Sequence, residues 1–163
     1  MKTKIAHIVS WYPSADHPNE AIWTKKHIDA LQQHADNFVF HIQVKKGKTG
    51  RSFKDISTYE KRYELYLPTD RWIIKEIFTT LLLLYVIVFK VKRLKPNYYN
   101  FQITYPLLTY SKLIQFFTRK PIIVTEHWSA YHNNFGVEKT PKRIQKIFKN
   151  KRLRFITVSE ALA

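Results

Sequence analysis

A chain of 163 residues with 45% apolar and 15% aromatic side chains can bury a sizeable core in one domain, and this composition excludes a disordered class. Lysine and arginine number 28 against 12 acids, a net charge of +16, which points to anionic lipid, nucleic acid or a phosphorylated substrate. Cysteine is absent, which excludes disulfides, a thiolate nucleophile and cysteine-based zinc sites and permits a reducing cytosol.

The N-terminus runs directly into a strand-like segment at residues 5–9, without the apolar region or cleavage site of a signal peptide. Its exit, residues 10–20, is long and carries Trp11 and Tyr12. Aromatics at the carboxyl end of a central strand either stack on a sugar or apolar acceptor or cover the top of the core. Ala21, Thr24, Ile28, Leu31 and Ala35 recur every three or four residues, the stripe of a helix lying on a sheet. Residues 38–44 predict a second strand, and residues 45–61, with two glycines and six basic side chains, predict an exposed loop. A weaker alternating strand at 62–67 suits a sheet edge.

Thr69 or Asp70 is placed to cap a long helix reaching about Arg93. It contains the longest apolar block, residues 81–89, which spans about a dozen residues when Ile77 and Phe78 are included. A bilayer crossing needs about 20, so a buried or interfacial helix is expected. Residues 99–103 predict a strand, and Pro106 opens a helix to about Thr118. In residues 121–128 a short apolar run bounded by proline ends in Glu126, His127 and Trp128, as in a strand buried on both faces. A loop follows. Thr140 and Pro141 then open a last helix with Ile144, Ile147 and Phe148 on its apolar face, and residues 155–158 form a final strand. The chain ends about one turn into a further element, so a fragment or an engineered piece of a longer protein is expected. Strands alternating with helices predict an α/β class: a Rossmann-like parallel sheet of about six strands with helices on both faces, in a single domain over 1–163.

In such sheets ligands bind outside the carboxyl ends of the strands, which puts Glu126 and His127 where a substrate would be handled. Neighbours in a strand point to opposite faces, so one of the two faces the cleft while the other braces the loop, unless twist at the strand end offers both. Histidine there can hydrogen-bond a hydroxyl or stabilise developing charge; the alternative is a loop-stabilising pair. Three glycines make neither a G-x-G-x-x-G turn nor a Walker loop, which argues against dinucleotide binding. Among seven histidines only His127 and His132 lie close together in a loop, without the spacing of a zinc pair, so no metal is expected. His7 and His41 read as core histidines. Lys90, Lys92, Arg93 and Lys95, with a second basic cluster around the last helix, suit solvated faces or an anionic bilayer; nucleic acid would use the same charge, but no binding motif accompanies it.

Three groups of residues resemble, in order and spacing, the N-terminal domain of bacterial GT-B glycosyltransferases of the large retaining family 4. They are Ile8-Val9-Ser10-Trp11-Tyr12-Pro13 with Pro18-Asn19-Glu20-Ala21-Ile22-Trp23, then residues 121–131, then Ile156-Thr157-Val158-Ser159-Glu160. The resemblance implies the acceptor-binding half of a two-domain enzyme that transfers a sugar from a nucleotide-sugar to a polysaccharide or lipid-linked acceptor. The donor domain would lie outside this chain. On that reading His127 and Glu126 belong to the catalytic site, Trp11, Tyr12 and Trp128 to the acceptor pocket, and Ala21 stands near the donor phosphate where relatives often carry glycine. Nucleotide-sugar would be a co-substrate, and no cofactor or metal is needed. The expected setting is the cytoplasm, with the charge allowing a peripheral place on the inner face of the cytoplasmic membrane, and nucleic acid is not the expected partner. A competing expectation is a non-catalytic basic α/β module that docks on anionic membrane or nucleic acid. A receiver-like domain is weakened by the missing acidic cluster after the first strand.

Overall fold

The computed structural model describes residues 2–15, 17–127 and 142–157. Seven strands form one sheet: β1 (Thr3–Val9), β2 (Ala35–Lys46), β3 (Gly50–Asp55), β4 (Glu60–Leu67), β5 (Tyr98–Gln102), β6 (Ile122–Glu126) and β7 (Leu153–Thr157). Their order is β3-β4-β2-β1-β5-β6-β7, with only β3 antiparallel to its neighbour. Helices α1 (Ile22–Ala30), α2 (Trp72–Phe89), α3 (Ser111–Thr118) and α4 (Lys142–Phe148) complete the described elements, with a short 3₁₀ turn at Val91–Leu94. The class is α/β and Rossmann-like, as the alternation of elements predicts.

Period-two alternation sorts the strand residues between two unlike faces. Ile8 stands level with Phe40 on β2 and Phe101 on β5, and Phe101 with Val124 on β6, so one face is apolar throughout. Leu83, Val86 and Ile87 of α2, Ile114 of α3 and Ile147 of α4 pack on it. The opposite face is polar where it is most buried: His7, Asn37, His41, Asn100, Gln102 and Thr125 are all buried there. On this side α1 closes a smaller core of Val9, Tyr12, Ile28 and Val39.

Several boundaries differ from the sequence reading. The expected loop at 45–61 contains β3, which covers β4, so β4 is not an edge strand. A single apolar side chain carries that edge: Phe53 packs on Tyr63 at 5.3 Å and on Tyr85 of α2 at 5.9 Å between ring centroids. Helix α1 stops at Ala30, because Ala35 already pairs with Thr3 as the first residue of β2. Helix α3 starts at Ser111 and not at Pro106, which belongs to an irregular segment after β5. The Thr140–Pro141 cap lies outside the described residues.

Helix α2 is longer than its apolar block alone implied. At 18 residues, continued by the 3₁₀ turn, it is long and apolar enough by composition to cross a membrane. Yet Leu83 is fully buried against the sheet while Leu81 is 56% exposed, so the helix is a layer of the domain. Leu83→Ala is expected to cost about 3 kcal/mol in urea unfolding, and Leu81→Ala well under 1 kcal/mol. Equal effects would show that the helix is not seated this way.

Candidate functional site

The strand order reverses between β1 and β5, the position where open α/β sheets bind ligands. A cavity of about 480 Å³ opens there, on the side of the sheet covered by α2. Ser10 and Trp11 from the exit of β1, Lys45 and Lys46 from the end of β2, Trp72 and Glu76 from α2, and Tyr105 with Pro106 after β5 wall it. Two indoles and several polar groups share its walls. The Ser10 hydroxyl is buried and has no hydrogen-bond partner among the described residues. Lys45 is fixed by Glu64 at 2.6 Å, and Lys75 by Asp70 at 2.9 Å. Burial alone would raise the Glu64 pKa, but Lys45 and the Tyr66 hydroxyl outweigh it and hold the carboxyl below its usual range.

Glu126 is 1% exposed and turns toward the chain that follows β5. Its Oε2 accepts hydrogen bonds from the Thr104 backbone N–H at 3.0 Å and the Thr104 hydroxyl at 2.6 Å, and its Oε1 accepts from the His127 N–H at 3.1 Å. A carboxylate so engaged braces the backbone around it, the loop-stabilising one of its two readings. What it positions is the cavity wall: Thr104 precedes Tyr105 and Pro106. Just before it, Ile103 has a φ of 77°, a conformation that a β-branched residue adopts only when its surroundings impose it. The Ile103 N–H bond to the Thr125 carbonyl at 2.9 Å and the Glu126 clamp on Thr104 are those surroundings.

His127 takes the opposite direction, as alternation requires. Its Nε2 lies 2.8 Å from Gln102 Oε1. Gln102 donates its amide to Asn100 Oδ1 at 3.4 Å, an acceptor shared with the Thr125 hydroxyl at 3.2 Å. Because the Gln102 oxygen can only accept, Nε2 carries the proton and Nδ1 is left as an acceptor. Burial, helped by the nearby imidazole of His27, lowers the His127 pKa to about 4, so the ring is neutral at physiological pH. The two rings stack at 5.0 Å.

The predicted residues are therefore divided. Trp11 lines the cavity, whose walls include neither Glu126 nor His127. Tyr12 is not among the cavity walls: only 4% exposed, it packs with Val9, Ile28 and Val39 under α1, the core-covering one of its two readings. Ala21 caps α1 in the left-handed region at φ 48°, a conformation in which glycine is at ease, and is buried. Trp128 lies outside the described residues. No protein-family model and no curated protein matches this chain. Tertiary pairing adds Lys45 and Trp72 to the cavity, Gln102 and His27 to the surroundings of His127, and Thr104 to Glu126. Of these, Gln102 alone left a trace in sequence, as the second polar residue alternating with Tyr99 and Phe101.

Proposed function

We propose that this chain is the acceptor-binding half of a retaining glycosyltransferase that moves a sugar from a nucleotide-sugar to a polysaccharide or lipid-linked acceptor. The observation that carries this reading is the cavity at the topological switch point, where two indoles and a cluster of hydroxyl, ammonium and carboxylate groups converge. Indole faces suit the apolar faces of sugar rings, and the polar groups suit their hydroxyls. The ordered motifs around Trp11, His127 and Thr157 support the same reading. In the complete enzyme the acceptor hydroxyl attacks the anomeric carbon from the side that the nucleotide leaves, and the departing phosphate helps take its proton. His127, neutral and with Nδ1 as acceptor, orients a sugar hydroxyl, and Glu126 holds the 103–106 segment in place. The scheme uses no metal, and the donor groups come from outside this chain.

Sugar transfer by the full-length protein, screened against nucleotide-sugars, is the test. His127→Ala is expected to lower kcat/KM by about a hundredfold. Trp72→Ala is expected to raise the acceptor KM about tenfold with a smaller effect on kcat. The 163 residues alone are expected to bind acceptor without turnover. Transfer by the 163-residue chain alone, or full activity in the His127 variant, would sink the reading.

A further inference from the structure

Helix α2 is apolar on both of its sides. Leu82, Leu83, Val86 and Ile87 are buried on the domain side together with Glu76, Thr79 and Thr80, while Ile73, Ile77, Leu81 and Tyr85, spaced four apart, form an exposed line. Phe78 and Phe89 widen that line, and Phe53 of β3 extends it through its stack on Tyr85. No charged side chain of α2 faces outward along the middle of the helix: Lys75 is drawn to Asp70 at the N-terminal end, and Glu76 is buried. Contiguous apolar surface of this kind marks a place where water is excluded by a partner.

We propose that the outward face of α2 docks on an anionic lipid bilayer, lying in the interface plane. Charge complementarity selects this occupant. Arg71 precedes the helix and Lys92, Arg93 and Lys95 follow it, all exposed, so cationic groups frame both ends of the apolar line. An amphipathic element with an apolar centre and basic ends binds by burying the centre among acyl chains and pairing the ends with headgroups. A second copy of the chain would bring another +16 against this one, which disfavours self-association through the same face. Spanning is excluded by the seven α2 residues buried against the sheet, since withdrawal would strip the core and expose Glu76 to hydrocarbon.

The test is co-sedimentation of the full chain with vesicles of phosphatidylcholine alone or with a quarter phosphatidylglycerol. Partition onto the anionic vesicles is expected to exceed that onto neutral ones by about tenfold or more and to fall with added salt. An Ile77→Glu/Leu81→Glu variant is expected to lose a further tenfold or more with an unchanged circular dichroism spectrum. Leu81→Trp places an indole in the middle of this line, so lipids brominated on the acyl chains should quench its emission by more than that of the wild type. That difference is a readout that stands even if the double glutamate variant fails to fold. Undiminished vesicle binding by a folded double variant, or quenching in Leu81→Trp no greater than in the wild type, overturns the proposal. So does a dimer that the double substitution dissociates in a protein that ignores vesicles.

Discussion

Acidification from about pH 7 to about pH 4.5 is expected to remove roughly 5 kcal/mol of folding stability, enough to unfold much of a domain of this size. His7 and His41 carry most of this effect. Burial lowers each pKa from 6.5 to about 4; for His41 the Arg62 cation adds to the burial. The sign follows from the depressed values. Above about pH 6.5 both rings are neutral in folded and unfolded chains alike, and stability is complete. As pH falls from 6.5 toward 4 the unfolded chain takes up protons that the folded one refuses, which costs about 2 kcal/mol for each buried ring at pH 4.5. His127 titrates in the same direction.

The geometry explains why these rings resist protonation. His7 Nε2 donates to Asn37 Oδ1 at 2.9 Å and His41 Nε2 donates to the Ser10 carbonyl at 3.2 Å. Each Nδ1 is buried without a partner among the described residues, so a second proton would find no acceptor there. The melting temperature is expected to fall by roughly 10–20 °C over this pH range. A flat profile would show that the rings are hydrated or move on protonation.

What could be read from the sequence was what depends on neighbouring residues. The apolar runs of β1, β2 and β6 specify central strands wherever they sit, and the adjacency of Glu126 and His127 fixes their opposite directions before any fold is known. Strand β3 was not legible, because Gly50-Arg51-Ser52-Phe53-Lys54-Asp55 has one apolar side chain and becomes a strand only by pairing with β4. The two readings of Tyr12 stayed open in the sequence because its burial depends on where α1 lands. The cavity was hidden for the same reason: Trp11, Lys45 and Trp72 converge only through the sheet order. The two-sided apolar character of α2 was half visible. Its apolar content could be read, but which side packed could not.

Removing the Glu126 side chain is expected to loosen the fold and the cavity together. Glu126→Ala strips the acceptor from the Thr104 N–H, the Thr104 hydroxyl and the His127 N–H, in a site with little water to replace it, and should cost about 4 kcal/mol. Glu126→Gln keeps one oxygen but turns an NH₂ toward one of the donors and loses the charge, at a cost of about 2 kcal/mol. Thr104→Val removes only the hydroxyl bond and should cost about 1 kcal/mol. Urea denaturation of the three variants should rank them in that order. The ordering matters because Ile103 is held at its φ of 77° by these bonds. Once they weaken, that strain, of order 1–3 kcal/mol, is free to relax, and the wall formed by Tyr105 and Pro106 moves with it. A bracing carboxylate therefore predicts that stability and acceptor binding decline in parallel across the series, whereas a carboxylate acting on substrate predicts that Glu126→Gln retains stability and loses turnover. Full stability in Glu126→Gln with sugar transfer abolished would return Glu126 to the chemistry and leave the strained Ile103 without its clamp.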